Sequence, residues 1–427
     1  MHSKTTHQRD FALLFCVMLV TAAGNTGLQS VLPALGRSLN VPDTVVAGVF
    51  SLTALVWSYF ASFWAQRSDR YGRRRMVLLG MIGFVISLGA TGVILTAGML
   101  GLMTPLLVFA VLIVARMIYG AFGSAAPPAA QALVAVRSSR AERTKALTLL
   151  ASAFGLGTIL GPALAPFFVQ PPLGLAGPAY FFAAVGLVVA IVAFRMLADD
   201  GPGVHARGAA ASEPSIGGEP SGASVIAALN EQSSAPLKLR DPRLMPWMVV
   251  GLIAGHAQAI AGQALGFLVI DRLLLEPLSA QPIIGLVLMS GAGAALLAQW
   301  GLIPRLRMEP GQMLLWGSLI AATGCAALAL AEGLHAMVVA FAVASLGFGI
   351  LRPAFTAGAS LAVGTREQGA VAGRVTSVNG IVFVLGPLIG ISLYEIAPQL
   401  PYLLAAAALV LSAAYSFKRL PPSSRAG

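Results

Sequence analysis

Twelve stretches of about twenty mostly apolar residues, separated by short polar turns, set what this chain can become. They run near residues 11–35, 45–64, 76–98, 105–126, 146–169 and 179–196, then 245–270, 283–303, 313–331, 336–358, 375–396 and 402–417. About 20 helical residues cross the hydrocarbon core of a bilayer. A spanning backbone there must satisfy its own hydrogen bonds, so each stretch predicts a helix. Composition leaves no soluble alternative: the 427 residues are 57% hydrophobic and only 10% charged, where soluble domains carry about 25% charged residues. The expected fold class is all-α integral membrane.

The basic residues orient the spans. With the N-terminus in the cytoplasm, 23 of the 27 Lys and Arg residues fall in cytoplasmic segments. Only Arg37 and Arg272 fall on the far side, and Arg116 and Arg352 lie within spans. That asymmetry predicts cytoplasmic termini. The net charge of +11 is spread over short loops, so it points to anionic lipid headgroups and away from nucleic acid. Cys16 and Cys325 sit apart in apolar runs and read as small hydrophobes, with no metal set or disulfide framework. Lys4 and Arg9 before an apolar stretch loosely resemble a signal peptide, but the apolar run continues to Leu35 and predicts an uncleaved first span.

Six spans precede and six follow a segment rich in Gly, Ala, Ser and Pro, which predicts an N-terminal bundle 1–197, a flexible linker 198–241 and a C-terminal bundle 242–427. Within the linker, residues 223–229 form a short amphipathic piece suited to a membrane surface. The halves look like copies. At a shift of 225 residues Glu142 meets Glu367, Ser152 meets Ser377, and Leu160-Gly161-Pro162 meets Leu385-Gly386-Pro387.

Between the second and third spans lies Ser68-Asp-Arg-Tyr-Gly-Arg-Arg-Arg75. Its order resembles the signature loop of the major facilitator superfamily, with Asp69, Arg70, Gly72, Arg73 and Arg74 on the strongest positions and Ala65 and Arg67 departing from the usual Gly and Leu. Gly72 permits a turn that a Cβ would strain. The resemblance implies two pseudo-symmetric six-helix bundles, the major facilitator fold, with twelve transmembrane helices. It also implies a gating lock in which Asp69 faces the start of the eleventh span near Val375; a simple anchoring loop is the other reading.

Arg116, Gly120 and Gly123 fall on one face of a regular fourth helix. They resemble the family's fourth-span motif, whose arginine is linked to proton transfer or substrate contact. A structural arginine bonded to carbonyls is the alternative. In the fifth span Gly157-x-x-x-Gly161-Pro162 resembles the antiporter motif, although Ala165-Pro166 replaces its terminal Gly-Gly. This similarity implies antiport. The acidic residue common in the family's first span is absent: Gln29 occupies the slot before Leu32-Pro33-Ala34-Leu35, with Asn25 one turn deeper. No Asp or Glu lies in the middle of any span.

Proton carriers are therefore sought in His256, which titrates near neutrality or else simply joins helices, and in Asp43 and Asp271 at span ends. Asp43 also reads as a helix N-cap. Arg352 with Arg116 and His256 would make a cavity that attracts anions; Arg352 at the cytoplasmic mouth is the alternative. Asn25, Gln29, Gln258 and Gln263 offer neutral hydrogen bonds.

The expected protein is a secondary transporter of the drug:proton antiporter type in a bacterial-type inner membrane. Its cargo would be a small anionic or zwitterionic metabolite, antibiotic or siderophore, exported against protons by alternating access. Uptake by proton symport or uniport is the alternative. The expected partners are the substrate, protons and membrane lipids, with no nucleic acid, cofactor or metal, and a monomer suffices. Five scattered histidines supply no catalytic set for a membrane enzyme. The linker is too polar for a sensor domain.

Overall fold

The computed structural model describes residues 2–137, 143–198, 241–306, 308–364 and 367–420. The expected linker, apart from Ala198 and Asp241, lies outside these, as do residues 223–229 and Glu142. Every regular element among the described residues is helical. The first is α1 (His2–Ser38), followed by α2 (Asp43–Tyr71) and α3 (Arg73–Met99). Next come α4 (Pro105–Ile118), a π-helical turn (Tyr119–Gly123) and α5 (Ala126–Arg137). They are followed by α6 (Arg143–Leu164), a 3-10 turn (Ala165–Phe168) and α7 (Gly177–Met196).

After the linker come α8 (Met245–Arg272) and α9 (Pro277–Leu296), then a second π turn (Leu297–Leu302) and the short α10 (Ile303–Leu306). The chain closes with α11 (Pro310–Leu330), α12 (Leu334–Leu361), α13 (Gln368–Ile396) and α14 (Leu400–Arg419). Eleven helical segments among the described residues are long and apolar enough to cross a membrane, and a shorter apolar one covers Ser152–Phe168 in the fifth span.

The fourth span is longer than its apolar run suggested. It continues from Pro105 to Val134 through Pro127 and Pro128. Both prolines fall in the first turn of α5, where amide groups have no helical acceptor and a missing N–H costs little. The π turn just before them changes the helical phase. A Cβ on Gly120 would meet Thr53 and Trp57 of α2, whereas Arg116 reaches α1 and α3.

The chain divides into two compact units, one of Met1–Gln29 with Leu52–Ser234 and one of Ser30–Ser51 with Ala235–Gly427. In the first, α3 packs on α4, α5 and α7. Phe84 of α3 is fully buried, with Gly24 of α1 and Gly186 of α7 each giving way to its ring. In the second, α8 packs on α13, α14 and α12, and α11 on α12 and α14.

The repeated Gly-Pro pairs play matching parts. A Cβ on Gly161 of α6 would strike Thr26 and the Ala23 carbonyl of α1. A Cβ on Gly386 of α13 would come to 2.5 Å from Ala259 Cβ of α8. In membranes, where apolar burial gives helices no net drive to associate, such close backbone contact is the main source of packing energy.

Candidate functional site

Within the first unit, α1, α3 and α4 enclose a charged residue. Arg116 is only 6% exposed. One terminal nitrogen donates to Asn25 Oδ1 and the other to Ser87 Oγ at 3.3 Å. Its guanidinium carbon lies 4.8 Å from the centre of the Tyr119 ring, a cation–π contact strengthened by the lack of water. The Asn25 amide donates to the Thr21 carbonyl at 2.7 Å, which fixes its oxygen toward the arginine. The Trp57 ring of α2 lies 5.0 Å from that of Tyr119, tilted by 47°, and its buried indole N–H has no acceptor.

All of these partners are neutral. No carboxylate pairs with Arg116 among the described residues. A buried cation held only by neutral groups keeps most of its field. Arg116 therefore leaves a positive charge buried among α1, α3 and α4.

The sequence-predicted residues fall into two groups. Asn25, Gln29 and Arg116 belong to the first unit, where Asn25 and Arg116 touch and Gln29 is half-buried. His256, Gln258, Gln263 and Arg352 belong to the second. His256 is half-buried, with Nδ1 2.9 Å from the Leu252 carbonyl in its own helix. Gln263 is buried, Gln258 and Arg352 are half-buried, and the Arg352 carbonyl accepts from Thr356 Oγ1 at 3.3 Å.

Gly157 and Gly161 lie at a close helix–helix contact. They seat α6 on α1, where Thr26 Oγ1 reaches the Gly157 carbonyl at 3.4 Å. In the basic turn, Gly72 has φ 88 and ψ 134, a conformation L-residues avoid. Arg73 is buried, and Arg74 donates to the Phe194 carbonyl of α7. The side chains of Asp69 and Arg70 lie outside the described residues.

Two ion-pair clusters have no counterpart among the sequence-predicted sites, and both flank α8. Before its start, Arg243 holds Asp241 through three bonds of 2.8–3.1 Å and Glu367 through two, of 2.8 and 3.2 Å. These bonds depress the Asp241 carboxyl to about 2. Glu367 is lowered too, first by Arg243 and then by the Gly364 N–H. At the far end, Arg37 contacts Asp43 at 2.8 Å and Asp271 at 2.9 Å. Asp43 does not cap α2: the Thr44 N–H donates to Glu395 instead, at 2.9 Å, because the Asp43 carboxylate is turned to Arg37. Sequence signals for both existed, in the repeat partner of Glu367 and in Arg37 as an exception to the charge asymmetry.

The family model for the Major Facilitator Superfamily matches residues 14–387. The chain belongs to that superfamily. Membership makes it a secondary transporter of small organic molecules and not an enzyme. Multidrug resistance protein 1 of Bacillus subtilis is 26% identical over 398 residues, covering 92% of each chain. Multidrug efflux pump LfrA of Mycolicibacterium smegmatis is 25% identical over 86% of this chain and 79% of its own. Among solved structures, the fold is similar to the human organic anion transporter MFSD10 (TM-score 0.64, 18% identity, 96% of this chain and 99% of that one). A bacterial homologue of the lysosomal transporter Spinster superposes with TM-score 0.70 at 11% identity, over 97% of each chain.

Proposed function

We propose that this superfamily member exports small organic molecules in exchange for protons, and that its cargo carries a negative or zwitterionic group. The observation that carries the cargo reading is Arg116, buried among neutral partners only. A lipophilic cation would meet an uncompensated charge there, whereas a carboxylate would replace the missing counter-ion. Efflux is supported by similarity to the multidrug efflux pump LfrA and to a multidrug resistance protein. Antiport is supported by Gly157-x-x-x-Gly161-Pro162, which shapes the α1–α6 contact. Residues 1–197 and 242–427 would act as the two bundles that rock during alternating access, with 198–241 joining them. The charge asymmetry supports a bacterial-type inner membrane with both termini in the cytoplasm, and nothing in the mechanism needs more than one copy. His256, Gln258, Gln263 and Arg352 are the second-unit residues proposed to face cargo or proton, with Gln29 and Asn25 in the first. Asp69, Arg70, Gly72, Arg73 and Arg74 are proposed to gate.

The test uses inverted membrane vesicles energised to an acidic interior, with anionic, zwitterionic and lipophilic cationic compounds added in turn. Collapse of the pH gradient by anionic or zwitterionic compounds, lost in Arg116→Ala and partly kept in Arg116→Lys, is expected. Collapse by cations alone would refute the cargo reading. An unchanged gradient with compounds shown to bind would refute antiport.

A further inference from the structure

The second unit contains a piece of the chain far from it in sequence. Residues 30–51, the end of α1, the turn after it and the start of α2, cluster with residues 235–427. The seat is partly apolar. Pro33 fills the space at Gly266, where a Cβ would lie 2.5 Å from the proline ring. Ser30 Oγ receives the Gln281 amide at 3.2 Å. The rest is polar and centres on Arg37.

One guanidinium nitrogen of Arg37 contacts both Asp43 Oδ2 and Asp271 Oδ2. The same Asp271 oxygen accepts from Tyr394 Oη at 2.8 Å, and Phe267 lies beneath the guanidinium at 5.6 Å. The Nε of Arg37 is buried with no acceptor. The fork is therefore not used in the two-pronged way that makes arginine–carboxylate pairs rigid.

The charged groups around Arg37 do not balance. Asp43 comes from α2, Asp271 from α8 and Glu395 from α13, where Glu395 also takes the Thr44 N–H. Arg272 of α8 turns away to the Ala329 carbonyl at 3.2 Å. Tyr394 of α13 and, behind it, Tyr402 of α14 are neutral hydroxyls. One cation thus faces three carboxylates. Asp43 belongs to the same hairpin as Arg37, so the ion pair that ties the hairpin to α8 is Arg37–Asp271, and a proton on Asp271 would remove it.

We propose that Arg37 and Asp271 form a latch that fastens the α1–α2 hairpin to α8, with Asp43 steadying the arginine from within the hairpin, and that protonation of Asp271 opens it. Its use in transport rests on the antiport reading; its opening can be measured without any cargo. The chain lacks a carboxylate in mid-span, and this latch places a proton-responsive carboxylate at the end of α8 instead.

The test measures the distance between spin labels at Ser38→Cys and Leu278→Cys, both exposed and both within the second unit, in full-length protein with Cys16 and Cys325 replaced by Ala. At about pH 8 one short distance is expected. At about pH 5, where carboxylates begin to take protons, a longer distance should gain several-fold in population. The Asp271→Asn protein should show the longer distance at both pH values, and Asp271→Glu should restore the pH response. The same distribution at both pH values in the unsubstituted background, or a short distance kept by Asp271→Asn, would overturn the latch. A distance change in protein that never collapses a pH gradient would leave the latch standing and refute only the antiport reading.

Discussion

The two ends of α8 are each closed by one arginine among carboxylates, and they are built for different purposes. The helix has 28 residues, so the ends lie about 42 Å apart at 1.5 Å per residue. At the start, Arg243 spends its whole fork on Asp241 and Glu367, and Glu367 also takes the Gly364 N–H. Every group there is matched, and Arg243 is half exposed. At the other end Arg37 divides one nitrogen between two aspartates, leaves its Nε without an acceptor and has a third carboxylate nearby. A saturated, wet pair makes a fixed anchor for the chain leaving the linker. An under-used, partly buried one makes a contact that can be undone.

The change expected to break this comparison most severely touches neither cluster. Gly161→Val would push α6 off α1, the helix that carries Arg37, at a cost of about 3 kcal/mol for overpacking a backbone contact. Thermal unfolding in detergent should show it as a large loss of melting temperature. Next is Arg37→Ala. It strands Asp43, only 6% exposed, without its cation. Breaking a buried pair costs about 3–5 kcal/mol, and with Arg37 one-third exposed about 2 kcal/mol is expected. Asp271→Asn keeps a group able to accept from Tyr394 and removes one ion pair, so a loss of about 1.5 kcal/mol is expected, at the low end of the range for a hydrogen bond to a charged group.

Arg243→Ala should have the smallest effect: Asp241 is buried nearly as far as Asp43, but the guanidinium of Arg243 is half exposed, so its pairs are screened and contribute little. Its pH dependence has a definite sign. Asp241 and Glu367 are held below their ordinary values, so their contribution is complete above about pH 4.5 and fades as the pH falls toward about 2. The gap in melting temperature between Arg243→Ala and the unsubstituted protein should therefore narrow as the solution is acidified. Added salt should narrow it as well, and should do less to the gap for Arg37→Ala.

The helices were legible because lipid allows an apolar run of spanning length little else to form. The π turn at Tyr119–Gly123 was not. One extra residue in a helical turn leaves no mark in hydrophobicity, and Pro127-Pro128 looked like an end when it was a first turn. Arg116 could be singled out from its charge alone, whereas Ser87, Trp57 and Tyr119 look like ordinary span residues until the helices are packed. The pairing of Arg37 with Asp271, 234 residues away, is invisible to any local pattern. Its one trace was an arginine on the side of the membrane that, by the charge pattern, it shares with Arg272 alone.

The most direct test of the difference between the two ends is hydrogen–deuterium exchange of the full-length protein at about pH 8 and about pH 5, corrected for the intrinsic effect of pH on exchange. Peptides from residues 30–51 and 268–276 are expected to lose protection at the lower pH, while those from 241–247 stay unchanged. Equal responses at both ends, or a response confined to 241–247, would contradict the assignment of Arg37 as the releasable contact and Arg243 as the fixed one.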